Sequence, residues 1–489
     1  MKRKILGIIS LLLVVAFLLV GCNGQSDDPN PPKEPDDTVN DSSDSTGDSD
    51  TPDAPKEATL NGVPLADYTI VYSPTDVDYS KRAAECIRDQ IKVRTSLELP
   101  LNKDSKEPAA HEIVVGETGR EISGALDAQT EGTDFAIYAD GESIALEGKY
   151  FVIAAAAYYF VETYVTGEVF ESSVPETVSI HQPIVEEAKN FIFLIGDGMG
   201  IYQTRLFDVR DMPERNDFSD GEDIFYGYLF GNFGLARTNS LSGTTDSAAA
   251  GTALATGYKT LNGYVGMDKN KNEIMSLTEL AASIDMSTAV MSTEVSWGAT
   301  PGSFSAHEDS RENTNEIKED QAALKERFGT LIVHDMDYYH KLQIPQLERS
   351  INSTLDKLGS NENGFFLMYE ESYIDKHCHS NDMDNAFLAL VRFNQAIGVF
   401  MEYAFYNPDT FVIITADHET GAMLPSSSKG LKFTSGNHSP NYVPVFAYGE
   451  GAKLFDSKVI ENVQIPKTIA RMWNEEGFGD LSDGFEPLF

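Results

Sequence analysis

Beyond Ala188, four apolar runs each end in side chains able to bind an ion or carry a proton, and this repetition restricts the fold more than any other feature. Phe191–Ile195 runs into Gly196-Asp197-Gly198, and Thr288–Met291 leads through Ser292-Thr293-Glu294 to Ala299-Thr300-Pro301. Phe365–Tyr369 meets Glu370, and Phe411–Thr415 gives way to Ala416-Asp417-His418. Short apolar runs alternating with helix-like stretches predict an α/β fold: a mostly parallel central sheet with helices on both faces. Open sheets of this kind bind ligands outside the carboxyl ends of their strands. The polar groups are therefore expected to converge on one crevice. An Asp after a strand is, by itself, usually a turn or cap residue. Four such strand ends together point to a site.

The separate motifs differ in what they demand. Asp197 stands between glycines, which permit a tight turn and the close approach of a metal or phosphate. Gly243 to Thr252 (GTTDSAAAGT) opens an alanine-rich helix ending near Gly257, with Asp246 or Ser247 at the N-cap. Capping alone accounts for that pattern. The same geometry also gives Ser247 free N–H groups and the positive end of the helix dipole, which suit an alkoxide and an incoming phosphate. A Ser hydroxyl is a poor nucleophile at neutral pH, and a coordinated metal would activate it. No Ser-His-Asp triad motif lies nearby. Asp375 and His379 share a face if their stretch is helical, and Glu370 precedes them. His438 follows His418 by 20 residues and precedes a β-like run, Val443–Tyr448. Carboxylates with three imidazoles suit zinc or a similar divalent ion. His111, His181, His307, His334, His340 and His377 read as bystanders, and Cys378 as packing.

Charge narrows the partners. The chain has 37 Lys+Arg against 77 Asp+Glu, a formal −40. A basic footprint for nucleic acid is excluded, and an anionic substrate needs locally bound cations. Residues 1–22 read as a signal segment: Lys2, Arg3 and Lys4 precede a 16-residue run, Ile5 to Val20, too short for a typical span of about 20 residues. Leu19-Val20-Gly21-Cys22 resembles the lipobox of bacterial lipoproteins, which implies lipidation at Cys22 and an exported, lipid-anchored protein on the extracytoplasmic face. Residues 23–57, with eleven acidic residues and many Ser and Pro, read as a disordered tether. Residues 58–187 read as a small α/β accessory domain. Its expected strands are Tyr68–Tyr72, Glu112–Gly116, Asp134–Tyr138 and Ser143–Leu146; its expected helices are Tyr79–Thr95 and Tyr150–Val165, with a hairpin turn at Asp140-Gly141. This segment loosely resembles accessory domains of secreted carbohydrate-active enzymes, which implies possible glycan contact; a structural or docking module is the simpler reading.

Residues 188–489 form the expected catalytic domain. Its motif order GDGMG, TTDSAAAGTALATG, ATPGSFSAHEDSR, GFFLMYEESYIDKHCH, TADHETG and NHSPNYVPVFAYG resembles the bacterial alkaline phosphatases. The resemblance implies hydrolysis of small phosphate monoesters with Ser247 as the nucleophile that becomes phosphorylated. It implies that Asp197, Asp417 and His418 hold one zinc-type ion beside Ser247, and that Asp375, His379 and His438 hold a second. Asp197, Thr300 and Glu370 would complete a third site, for magnesium. Arg311 would clamp two phosphate oxygens, a task its planar fork fits, and Lys376 would contact phosphate. Gly298 departs from the pattern, because many relatives carry Asp or His there, supporting the third site or phosphate. The short intervals from Arg311 to Glu370 and from His418 to His438 imply a stripped-down domain without the insertions that build dimer contacts, leaning to a monomer. The alternatives are a phosphodiesterase or sulfatase of the same superfamily, or a non-catalytic lipoprotein that binds glycan or metal.

Overall fold

A computed structural model of the chain describes residues 57–73, 79–126, 130–209, 224–334, 344–426 and 430–489. The signal segment, Cys22, the tether apart from Glu57, and His340 lie outside the described residues. Two principal sheets follow one another along the chain.

The first contains β1 (Tyr68–Tyr72), β2 (Leu101–Lys103), β3 (His111–Val115), β4 (Phe135–Ala139), β5 (Ile144–Gly148) and β6 (Ser179–His181), in the order β2-β1-β3-β5-β4-β6. Helices α1 (Tyr79–Thr95) and α2 (Ile153–Tyr164) accompany it. The β4–β5 turn is the expected hairpin: Asp140 Oδ1 accepts from the N–H groups of Glu142 and Ser143 at 3.0 and 2.8 Å. Strands β2 and β6 were not legible, because LNK and SIH are too short to show a period and are held by pairing at the sheet margins.

The second sheet contains β7 (Asn190–Gly196), β8 (Phe233–Arg237), β9 (Ser287–Ser292), β10 (Leu331–His334), β11 (Phe365–Glu371), β12 (Thr410–Thr415), β13 (Val443–Tyr448) and β14 (Val459–Glu461). Their order is β10-β9-β11-β7-β12-β13-β8-β14. Every residue of β7, β11 and β12 is buried, as strands covered on both faces require. The run from β10 to β12 is parallel throughout, whereas β13 pairs antiparallel with both neighbours. That reversal brings the start of β13, rather than its end, to the carboxyl edge of the parallel strands. His438, just before β13, thereby arrives beside the ends of β7, β11 and β12.

The long helix α6 (Met383–Tyr406) packs on β7 and β12 and also on α2. Phe151 meets Tyr226 and Phe405 with ring centres 4.9 and 5.8 Å apart, and Arg82 pairs with Glu402 at 2.9 Å. Residues 58–187, expected as a small accessory domain, have their own sheet, and its apolar core is continuous with that of the second sheet.

Candidate active site

Ser247 is the first residue of α3 (Ser247–Thr256). Asp246 caps that helix, its Oδ1 accepting from Ala249 N at 3.0 Å, and Gly257 ends it in the left-handed region at φ +75°. Ser247 Oγ lies 3.1 Å from His418 Nε2. The same nitrogen is 3.2 Å from Asp417 Oδ2 and 3.6 Å from Asp197 Oδ1. One nitrogen cannot hydrogen-bond to three oxygens at once, and both carboxylate oxygens are buried without a hydrogen-bond partner. Thr420 Oγ1, not a carboxylate, lies near His418 Nδ1 at 3.2 Å, so the geometry is not that of a Ser-His-Asp triad. A cation held by Asp197, Asp417, His418 and Ser247 fits this donor set.

The second cluster adjoins the first through His418. Asp375 and His379 do share a face of one short helix, α5 (Tyr373–His379), with Asp375 Oδ2 3.3 Å from His379 Nε2. His438 Nε2 lies 3.5 Å from Asp375 Oδ1 and 3.0 Å from His379 Nε2, and its ring stacks on His418 at 3.6 Å between centres. The Nδ1 atoms of His379 and His438 each face a backbone carbonyl, Gly436 O and Thr245 O, at 2.8 Å. That contact fixes the ring and leaves Nε2 for a metal, the usual arrangement of a ligating histidine. His418 is close enough to join Asp375 and His438 as well.

The third group is more buried. Thr300, in α4 (Ala299–Ser303), has a hydroxyl oxygen that is buried and unpartnered. Glu370 Oε2 receives a 2.5 Å hydrogen bond from Ser292 Oγ. Burial, then the charges of Asp417, Asp375 and Glu370, push Asp197 well above the usual carboxylate range. Burial likewise raises Glu370 to about 8, despite the Ser292 hydrogen bond, and Asp417 to about 6. Asp375 is instead held low, because hydrogen bonds from His379 and His438 outweigh its burial. The Asp375 hydrogen bond raises His379 to about 9, while burial and the neighbouring His438 hold His418 well below its ordinary value. Carboxylates this crowded resist full ionisation unless cations lie among them. The residues fit divalent ions.

Arg311 is partly exposed beside this site, its Nη1 3.4 Å from Oδ2 of Asp246, the residue that precedes Ser247. Lys376, expected to contact phosphate, engages Glu294 Oε2 at 2.6 Å. Of the glycines flanking Asp197, Gly198 adopts the tight turn expected, in the left-handed region at φ +74°. A Cβ on Gly198 would stand 2.8 Å from Asp375 Cα, and one on Gly200 2.3 Å from Glu419 Cγ. Both positions thereby admit the close packing of α5 and of the His418 loop. Among the bystander histidines, His307 pairs with Glu279 at 3.0 Å, away from the clusters. Cys378 is buried as packing.

Several supporting residues escaped sequence reasoning. Glu419 is buried and accepts from Gln203 Nε2, Met423 N and Ser439 Oγ, fastening the loop that carries Asp417 and His418 to the approach of β13. Thr420 Oγ1 donates to Asp375. Arg392 on α6 forms a buried ion pair with Glu371, whose Oε1 also accepts from Thr293 Oγ1 and Tyr373 N at the start of α5. Glu419 and Thr420 lay within a motif already quoted; Arg392 had no local signal.

Residues 188–344 and 333–432 match the family model described as alkaline phosphatase. Over 341 residues the chain is 28% identical to alkaline phosphatase 4 of Bacillus subtilis (strain 168), covering 59% of this chain and 72% of that protein. Alkaline phosphatase 3 of the same strain is 29% identical over 307 residues, covering 52% and 66%. The solved alkaline phosphatase of the Antarctic bacterium TAB5 superposes with a TM-score of 0.52 at 27% identity, over 59% of this chain and 99% of that one.

Proposed function

The chain belongs to the alkaline phosphatase family and is a phosphatase enzyme, and from that premise we propose that it hydrolyses phosphate monoesters through a phosphoserine formed on Ser247. The observation that carries this reading is the convergence of Ser247 Oγ, Asp417 Oδ2 and Asp197 Oδ1 on His418 Nε2 at 3.1 to 3.6 Å. Asp197, Asp417 and His418 would hold one zinc-type ion, Asp375, His379 and His438 a second, and Asp197, Thr300 and Glu370 a magnesium ion. A solved variant of the TAB5 enzyme has Mg bound in a site designated M3, which supports the third assignment. Bound divalent ions supply Lewis-acid charge at phosphorus and lower the pKa of coordinated hydroxyl or water.

The remaining work falls to the chain. Ser247, at the start of α3, meets the positive end of a helix, which favours its ionised oxygen and the approach of phosphate. Arg311, held near Asp246, offers its fork to two phosphate oxygens. Ser247 Oγ forms a bond to phosphorus as the bond to the ester alcohol breaks, and the alcohol leaves. Water then cleaves the Oγ–phosphorus bond, releasing inorganic phosphate and restoring the hydroxyl. The loose transition state needs surrounding positive charge more than covalent help.

Hydrolysis of p-nitrophenyl phosphate at alkaline pH by the purified protein should disappear with chelator, return with zinc and magnesium, and fall by at least about a thousandfold in Ser247→Ala. Unchanged phosphate release from Ser247→Ala would refute the mechanism. No turnover from folded protein under any metal condition would refute the monoesterase reading, and hydrolysis of bis-p-nitrophenyl phosphate alone would favour the diesterase. We also propose, on the lipobox pattern, that the enzyme is exported and anchored by acylation of Cys22. Fatty-acid labelling of the expressed protein should vanish in Cys22→Ala; retained label would place the anchor elsewhere.

A further inference from the structure

Strands β12, β13 and β8 are neighbours in the second sheet, and β8 runs parallel to β12 because both pair antiparallel with β13. The end of β8 therefore comes to the same sheet edge as Asp417 and His418, two strand spacings or about 10 Å away. That end is Arg237, and Tyr442, the residue before β13, stands beside it. Arg237 Nε donates to Tyr442 Oη at 3.1 Å, and the guanidinium carbon lies 5.5 Å from the centre of the Tyr442 ring. Its Nη1 is 3.6 Å from Glu461 Oε1, too far for a hydrogen bond. The nearer partner of Glu461 is Lys259 at 3.3 Å, and those two side chains are largely buried, whereas that of Arg237 is 53% exposed. Two cations thus share one carboxylate, which leaves an excess positive charge on a chain of formal −40.

This pair lies on the departing side of the proposed reaction. Ser247 adjoins Asp197, Asp417 and His418, and an in-line displacement directs the leaving oxygen away from Ser247, toward Asp375, His379 and His438. Both chain segments that meet at His438 lead on to the pair. Tyr442 follows His438 by four residues, and Thr245, whose carbonyl faces His438 Nδ1 at 2.8 Å, lies on the loop between Arg237 and Ser247. We infer that Arg237, held by Tyr442, forms a leaving-group subsite that selects phosphate monoesters whose alcohol carries a second anionic group, a carboxylate or another phosphate. The inference rests on the proposed function and adds the class of ester it prefers. The Tyr442 ring and hydroxyl fix the plane of the guanidinium, so its terminal N–H groups meet an oxyanion already oriented. A neutral alcohol leaves them in water.

The test compares p-carboxyphenyl phosphate with its neutral counterpart p-carbamoylphenyl phosphate, followed as inorganic phosphate released by the protein loaded with zinc and magnesium. The parent should favour the carboxylate ester roughly three- to tenfold in kcat/KM, through KM, the range expected of one partly screened charge contact. Arg237→Gln should bring that ratio to about one, and Tyr442→Leu, which frees the guanidinium, should lower it part of the way. Added sodium chloride should shrink the parent's ratio as the charge is screened. A merely structural role would slow both esters by the same factor and leave the ratio as it was. That outcome, a parent that shows no preference for the carboxylate, or a preference that ignores salt would overturn the inference. Turnover of the neutral ester by the parent separates the two readings. Turnover without preference refutes the subsite alone, whereas no turnover of either ester by folded, metal-loaded protein refutes the proposed function and the subsite with it.

Discussion

His307 lies outside the carboxylate–imidazole clusters, yet its partner holds its pKa in the alkaline range. Its ring bridges Gly266 O at 2.8 Å and Glu279 Oε1 at 3.0 Å. Burial lowers its pKa, but the hydrogen bond and charge of Glu279 outweigh burial and raise it to about 9 from an ordinary 6.5. For Glu279, burial acts upward and is outweighed by His307, so its pKa is lowered. A histidine raised in the folded state stabilises fully below about pH 6.5, and that contribution is lost as pH climbs through about 9. The Glu279 contribution is present above its ordinary value of 4.5 and lost as pH falls through its lowered folded value. Between pH 7 and 10 the parent should therefore lose more Tm than His307→Gln does. Equal slopes in the two proteins would show that the pair contributes nothing to stability.

The start of α3 joins stability to the proposed chemistry at the scale of an element. Asp246 caps the helix through Oδ1, while its Oδ2 accepts from Gly263 N and faces Arg311. Asp246→Ala should cost about 1 kcal/mol of stability, the usual value of a lost cap. Asp246→Asn should keep most of that stability, because Asn caps well, yet lose about tenfold in kcat/KM as Arg311 loses its ionic tether, a change of about 1.4 kcal/mol. Equal stability losses in the two variants would argue against capping. This element was legible in the sequence because alanines between a cap residue and a glycine leave few alternatives to a short helix. The four strand cores were legible for a similar reason: FIFLI and FVIIT can be satisfied only in a buried interior. The supports were not. Arg392 reaches Glu371 across 21 positions of sequence, and β2 and β6 exist through pairing rather than through a period of their own. Contacts of that kind belong to the assembled fold and leave no local pattern.

The two sheets unfold together if their shared core means what its contacts suggest. Phe151 is fully buried against Tyr226 and Phe405, so Phe151→Ala should cost about 3–5 kcal/mol. Calorimetry should show a single cooperative transition in the parent and in the variant. Two resolved transitions in the parent would mean that the first sheet is an independent unit. The reversed strand β13 has a further consequence, one of timing. A ribosome delivers Asp197, Ser247, Thr300, Arg311, Glu370, Asp375 and His418 well before Val443–Tyr448, which must enter between β12 and β8 to bring His438 round. A nascent chain can thus bring Ser247, Asp197, Asp417 and His418 together while the second cluster still lacks His438. The second cluster is therefore completed only when β13 takes its place between β12 and β8.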